Sequence, residues 1–279
     1  MNQQHEKVIF SDIDLARRLE SVDAIGGAEY AATHARLFPQ SDAASMPVAG
    51  GYATYAGRES PVTQAFALGL NGEVAKDEMD ALEEFYRKQG APVNIEVCPL
   101  AHPSLFEHLS ARGYKPIEHS NVLVRALPFA TLDAENRHAA VSVRLARRDE
   151  AQVWAETVMR GFLEPEEAPP MMIDMGKTAF HVPATHCFVA EQDGVIIGGG
   201  SMGVRHQVAT LSGASTLTAY RKRGAQQALL YHRLKYATTE HACDLAMVAT
   251  LPGSASQRNV ERHGFHVAYT RTKWLRTWA

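Results

Sequence analysis

The sequence predicts a mixed α/β (α+β) protein built from two tandem copies of one fold, each a twisted mixed sheet flanked by helices. Apolar spacings of three and four alternate along the chain with short strand-like runs, the mark of interleaved helices and strands. The order of those elements in residues 1–130 recurs in residues 141–279. Each half also has, before its closing strand, a short helix ended by glycine and an aromatic residue, Leu105 to Gly113-Tyr114 in the first and Ser256 to Gly264-Phe265 in the second. A chain of 279 residues accommodates two domains of about 130–140 residues each.

Residues 12–38 carry Leu15, Leu19 and Val22 at helical spacing and read as one or two helices. Met46 to Tyr55 reads as a strand entered from a loop, Gln64 to Leu70 as a second, and Asn71-Gly72 as a turn. Asp77 to Gln89 has acidic residues in its first turn, Leu82, Phe85 and Tyr86 toward a core and Gly90 as a stop, which makes it a helix. Val93 to Cys98 alternates as a strand, Ser104 to Arg112 is helical, and Asn121 to Leu127 closes the first half as a strand. Residues 131–140 are polar, alanine-rich and without period, a linker.

In the second half, residues 141–145 start a strand. Asp149 to Phe162 fits a helix with Val153, Trp154, Thr157, Val158 and Phe162 inward. Glu164 to Met175, with three prolines and three methionines, is expected as an irregular or short-helical lid. Cys187 to Glu191 and Val195 to Met202 form a hairpin about Asp193-Gly194. Val208 to Leu217 is the strand that runs into the most informative segment of the chain.

That segment is the basic turn Arg221-Lys222-Arg223-Gly224, which opens the helix beginning Ala225-Gln226-Gln227. Free backbone N–H groups in a first helical turn and the positive end of the helix dipole attract an anion. Between Asp193 and Glu240 there is no Asp or Glu, although the formal net charge is −3. Acid is therefore missing where a polyanion would sit. The equivalent stretch of the first half, Asn71 to Asp80, carries four acidic residues that would repel one.

The spacing Arg221-x-x-Gly224-x-Gln226 resembles the phosphate-binding signature of the GCN5-related N-acetyltransferase (GNAT) family. The likeness extends through the strand Cys243 to Thr250 and the helix Ser256 to Phe265, so that strand, basic turn, helix, strand and helix follow in the family's order. It implies two tandem GNAT-like domains, a degenerate one over 1–130 and a catalytic one over 141–279. It implies acetyl-CoA as cosubstrate, with Arg221, Lys222, Arg223, Gly224, Ala225, Gln226 and Gln227 at the pyrophosphate and backbone near Thr216 and Leu217 at the pantetheine and thioester. Ser256 and Asn259 are placed beside the cosubstrate by the same likeness, with Ser256 matching a position that often carries a small or hydroxyl residue; for the base, Glu191 is a nearby candidate, and a water chain is the alternative. Glu164 and His206 are further candidates for the base.

Two positions depart from the family pattern. Its usual tyrosine falls on Val260 and its frequent asparagine on Gly253. The expected reaction is direct attack of a primary amine of a small molecule or peptide on the thioester, with none of the three cysteines as nucleophile. A non-catalytic acyl-CoA sensor and a transferase of a larger acyl group stay open. The first half is expected to cover the acceptor pocket or to form a homodimer surface.

Bulk properties exclude other classes. A pI near 6.5 does not suit a general nucleic-acid binder. Three cysteines in apolar strand contexts suit neither a disulfide framework nor zinc, and the 13 histidines show no metal-binding spacing. No signal-peptide core or membrane-length apolar run is present, so the expected location is the cytoplasm.

Overall fold

The computed structural model describes residues 9–128 and 141–278; the expected linker, 131–140, lies outside the described residues. The chain divides into two compact units. One runs to Arg125 and resumes at Ala249, and the other spans Ala126–Val248.

The first unit opens with one continuous helix, α1 (Ile13–Leu37), whose N-cap Asp12 accepts from Leu15 N at 2.9 Å. It stops just before Pro39, as expected for a residue pair that disfavours helix. The stretch expected as a single strand over 46–55 is a tight hairpin of β1 (Ala44–Val48) and β2 (Gly51–Tyr55). Ala49 and Gly50 both adopt left-handed backbone, φ 47° and 81°, the geometry whose twist matches paired strands. Then come β3 (Gln64–Phe66), α2 (Lys76–Lys88), β4 (Val93–Val97), α3 (Pro103–Ala111) and β5 (Lys115–Ala126). The core holds Met79, Leu82, Tyr86, Ile95, Leu105 and Leu109. Tyr86 satisfies its buried hydroxyl on Thr54, donating to its carbonyl and accepting from its amide, both at 3.2 Å.

The last strand, β11 (His266–Arg276), lies antiparallel between β4 and β5, pairing Trp274 with Ile95 and Thr270 with Asn121. The strand order of this unit is β1-β2-β3-β4-β11-β5. Sequence reading groups residues 249–279 with the second domain; by contacts they cluster with the first, because β11 completes its sheet. Arg271 Nε bonds Glu20 Oε1 at 2.7 Å and Tyr269 donates to the same oxygen at 2.8 Å, all three side chains being buried. Burial pushes the Glu20 carboxyl above its ordinary range against the pull of Arg271.

The second unit contains β6 (Ser142–Leu145), α4 (Ala151–Arg160), α5 (Pro170–His181), β7 (Thr185–Gln192), β8 (Val195–Arg205), β9 (Val208–Thr216), α6 (Ala225–His241) and the start of β10 (Leu245–Thr250). Its strands run in the order β10-β9-β8-β7-β6. The β9–β10 pair is parallel and the others antiparallel. Asp193 and Gly194 make the β7–β8 turn with φ 51° and 75°. A Cβ at Gly199 would meet the Trp154 indole of α4 at 2.9 Å, and one at Gly200 would meet the Arg233 guanidinium of α6 at 3.2 Å. Successive strand residues face opposite sides, so α4 covers one face of this sheet and α6 the other.

On α4, Trp154, Thr157 and Val158 are buried, but Val153, expected inward, is exposed, and the helix ends at Arg160, leaving Phe162 beyond it and exposed as well. The lid expected over Glu164 to Met175 is irregular only as far as Pro169. Pro170 then starts α5, proline being suited to a first helical position, where its missing N–H costs nothing.

Candidate functional site

Strands β9 and β10 pair through Leu245↔Val208, Ala246↔Ala209 and Met247↔Thr210, and no further. On its other edge, β9 skips a register step against β8, from Ser201↔Ser212 to Gly199↔Ser215. Two residues, Gly213 and Ala214, thus oppose the one residue Gly200, a bulge that bends β9 just where its pairing with β10 has ended. Leu211 to Thr216 continue beyond the last β9–β10 pair.

At the end of β9 a short 3-10 turn, Thr218–Tyr220, leads into the basic loop. Gly224 is the N-cap of α6 with φ 89° and ψ 0°, backbone that a residue bearing a Cβ enters only with strain. Helical bonding begins with Ala228 N donating to Gly224 O at 2.9 Å, so the N–H groups of Ala225, Gln226 and Gln227 precede it. No side chain caps this terminus and its first turn holds no acid. The contrast with α2 is direct. There Asp77 and Glu78 stand in the first turn, and the Glu78 carboxylate accepts from Ala75 N at 2.9 Å and Ala49 N at 3.2 Å.

A polar web ties the loop to β9 and to the 161–169 stretch. Gln226 Nε2 donates to Thr216 Oγ1 at 2.8 Å. Arg221 donates to Thr216 O at 3.3 Å, to Gly161 O at 3.1 Å and to Glu164 Oε1 at 2.5 Å. The Glu166 carboxylate accepts from Thr218 N, which holds its pKa below the ordinary value, and lies 3.6 Å from Arg160. Lys222 and Arg223 are exposed, with the Arg223 guanidinium 5.3 Å from the Tyr220 ring centre.

Backbone alternation separates the two residues expected at the pantetheine and thioester. Leu217 N donates to Ile197 O of β8 at 2.9 Å and is committed to the sheet. Alternation then turns the N–H and C=O of Thr216 to the opposite edge, where β10 has left the ladder.

Glu191 and His206 are not gathered here. Glu191 lies on β7, separated from β9 by β8, and its Oε1 is 2.5 Å from Arg144, which also binds Glu150 at 2.8 Å. Its carboxylate belongs to an ion network at the edge formed by β6. His206 sits in the β8–β9 turn with φ 49°. Ser256 and Asn259 lie on α7 (Ala255–Glu261), which clusters with the first unit; Ser254 caps that helix by accepting from Gln257 N at 3.1 Å. Val260 is buried and Gly253 has φ 74°. All three cysteines are buried, and burial pushes the Cys98 thiol up to about 12 and raises that of Cys187 as well. Glu166, Gly161 and the Gln226–Thr216 bond were not anticipated; the acidic run Glu164 to Glu167, opposite in charge to the turn, was the available signal.

Among the described residues no group of three or more His, Cys, Asp or Glu side chains is placed to hold a metal ion, and no helix is long and apolar enough to cross a membrane.

Residues 150–265 match the model of the acetyltransferase (GNAT) family. A GCN5-related N-acetyltransferase from Kribbella flavida superposes with a TM-score of 0.65 at 14% identity, covering 95% of this chain and 96% of the other. A tandem GNAT protein from the clavulanic acid biosynthesis pathway gives 0.60 at 14% identity, covering 96% of each chain. A GCN5-related N-acetyltransferase from Sphaerobacter thermophilus gives 0.55 at 14% identity over 76% of this chain and 71% of the other. No curated protein sequence matches. At these identities the superpositions establish a shared fold, that of tandem GNAT structures.

Proposed function

We propose that this protein is a tandem GNAT acyltransferase that uses acetyl-CoA to acetylate a primary amine. The observation that carries the reading is the conjunction at one place of three features: β9 leaving β10 after Thr210, the Thr216 backbone turned to the vacated edge, and the uncapped, acid-free start of α6 at Gly224. An extended pantetheine arm fits a strand edge that its parallel neighbour has left, and a diphosphate fits a helix N-terminus flanked by Arg221, Lys222 and Arg223. The family match over residues 150–265 supports the same assignment.

Acetyl-CoA supplies an activated acyl carbon. The chain's part is to fix it and to stabilise the oxyanion that forms when an amine attacks, for which the Thr216 N–H is the fixed donor. The amine loses a proton as the carbon–nitrogen bond forms, and the departing thiolate gains one. No thiol of the protein need take part, in keeping with buried cysteines whose pKa values are raised. Arg144 holds Glu191 and Arg221 holds Glu164, so either carboxylate must leave its arginine before it can take the proton.

The first unit reads as the degenerate copy. Glu78 and Asp77 fill the first turn of α2 with the protein's own negative charge, where a second diphosphate would have to bind. Its role is then structural, as a dimer surface.

Calorimetric titration with acetyl-CoA, followed by a free-thiol release assay over a panel of amines, tests the reading. Binding with release supports the transferase. Binding without release on any amine, which Val260 in place of a tyrosine favours, moves the protein to the acyl-CoA sensors. A preference for longer acyl chains identifies a transferase of a larger group, and no binding removes all three.

A further inference from the structure

Arg233, on α6, is 4% exposed, and no carboxylate pairs with it among the described residues. Its named partners are backbone carbonyls: Ser201 O at 3.0 Å and Ser212 O at 3.3 Å through Nη1, and Leu229 O of its own helix at 3.1 Å through Nε. Burial lowers its pKa to about 10, so it stays cationic at neutral pH. A buried cation without a counter-charge is costly, and a methionine or leucine would fill this interior position without that cost. Its presence calls for a reason in what it holds.

What it holds is the bulge in β9. Ser201 and Ser212 are the last register pair before the two-for-one step at Gly213 and Ala214. A bulge interrupts the ladder, and carbonyls beside it take donors from elsewhere. Arg233 supplies one to each strand. Ser201 adds a second link, its Oγ donating to Ser212 O at 3.1 Å and lying 2.9 Å from Ser212 Oγ. Gly213 has φ 57°, and a Cβ there would meet Ser201 Oγ at 2.9 Å, so glycine is required both by conformation and by this hydroxyl. The whole knot lies between the last β9–β10 pair, Thr210↔Met247, and Thr216. It therefore governs the angle at which β9 turns away from β10.

The geometry points to Arg233 as a positioning residue for the acyl-CoA site: its guanidinium, with Ser201, clamps the β9 bulge and so keeps the β9 edge open and the Thr216 backbone aimed into it. The clamp is a property of the second unit alone; its consequence for ligand binding rests on the function proposed above.

The test uses the full chain carrying Arg233→Met, Arg233→Lys or Ser201→Ala, with amide hydrogen exchange read by mass spectrometry over residues 211–217 and acetyl-CoA affinity read by calorimetry below the melting transition. Arg233→Met is expected to exchange at least about tenfold faster at that segment and to bind acetyl-CoA at least about tenfold more weakly, as fits lost hydrogen bonds from a charged donor. Arg233→Lys, which keeps the charge and one donor, should recover part of both, and Ser201→Ala should shift both by less. Should Arg233→Met fail to fold, the lysine and serine variants decide the matter. Exchange that rises evenly over β7, β8 and β9, or variants that fold with wild-type exchange at 211–217 and wild-type affinity, would overturn the clamp. If the wild-type protein takes no acetyl-CoA, the proposed function falls, while the exchange measurement still decides whether Arg233 pins the bulge.

Discussion

Gln226 Nε2 donates to Thr216 Oγ1 at 2.8 Å and so fastens the first turn of α6 to the end of β9. The resemblance places a glycine or alanine at this position, where a long side chain has no evident use. Here it spans the two elements that form the candidate site. Gln226→Ala and Thr216→Val should each lower the melting temperature and weaken acetyl-CoA binding, by about 0.5–1.5 kcal/mol for a part-buried neutral hydrogen bond. The double variant should cost no more than the worse single one, because both remove the same bond. Strict additivity in a double-mutant cycle would show that the two side chains act independently.

Gly224 separates conformation from charge. With φ 89° at the N-cap, Gly224→Ala should cost about 1 kcal/mol or more in stability and weaken acetyl-CoA binding by several fold through a shifted turn. Gly224→Glu adds an anion at the helix start and should abolish binding altogether, while circular dichroism stays native. Equal affinity for the two variants, measured by calorimetry, would mean that charge at this helix start has no part in recognition.

Glu164 competes with any incoming anion for Arg221. The pair is 2.5 Å apart, but the side chains are 39% and 71% exposed for arginine and glutamate, so solvent and salt discount it heavily. Glu164→Gln is accordingly expected to tighten acetyl-CoA binding by roughly two- to fivefold at low ionic strength, with the gain shrinking as salt is raised. A weaker complex would assign Glu164 to binding rather than competition. If this carboxylate also handles the proton, turnover should fall in the same variant in spite of the tighter binding.

Much of the fold was legible because hydrophobic period and turn chemistry agree locally. Asp193-Gly194, the helix over Asp77 to Lys88 and the glycine stop at Gly90 are each set by nearest neighbours. The basic turn was legible for the same reason, being a contiguous run with acid excluded. What could not be read is non-local. Nothing in the period of residues 266–276 states that this strand slots between β4 and β5, because any strand with one buried face satisfies the same pattern. Likewise Glu191, Arg144 and Glu150 gave no sign that they would meet, and a hairpin at Ala49-Gly50 was hidden by an alanine in left-handed backbone.

The insertion of β11 predicts where the first unit is most fragile. Arg271 is 2% exposed and its Nε is met by Glu20, itself fully buried. Glu20→Gln leaves the guanidinium with Asp23, 2.8 Å from Nη2, as its sole anionic neighbour among these groups. Breaking one side of a buried pair costs about 3–5 kcal/mol, so the variant should unfold at markedly lower denaturant, whereas Glu20→Gln with Arg271→Met should recover a good part of the loss. A double variant as unstable as the single one would show that β11 is held by its ladder and not by this pair.

Glu150 gives the second unit a defined acid sensitivity. Hydrogen bonds from Arg144, at 2.8 Å to both oxygens, and from Arg147 N at 2.6 Å hold its carboxyl down to about 2. A carboxylate whose pKa is lower in the folded state contributes its full stabilisation above its ordinary value, near 4.5, and loses it as pH falls toward 2, because the unfolded chain takes up the proton first. Stability of the wild-type protein should therefore drop across that window. Glu150→Gln should begin about 1–3 kcal/mol less stable at pH 7, through loss of charged hydrogen bonds, and then fall less steeply on acidification. Urea melts at pH 7, 5, 4 and 3 measure both effects. Parallel curves for the two proteins would mean that another carboxylate sets the acid limit.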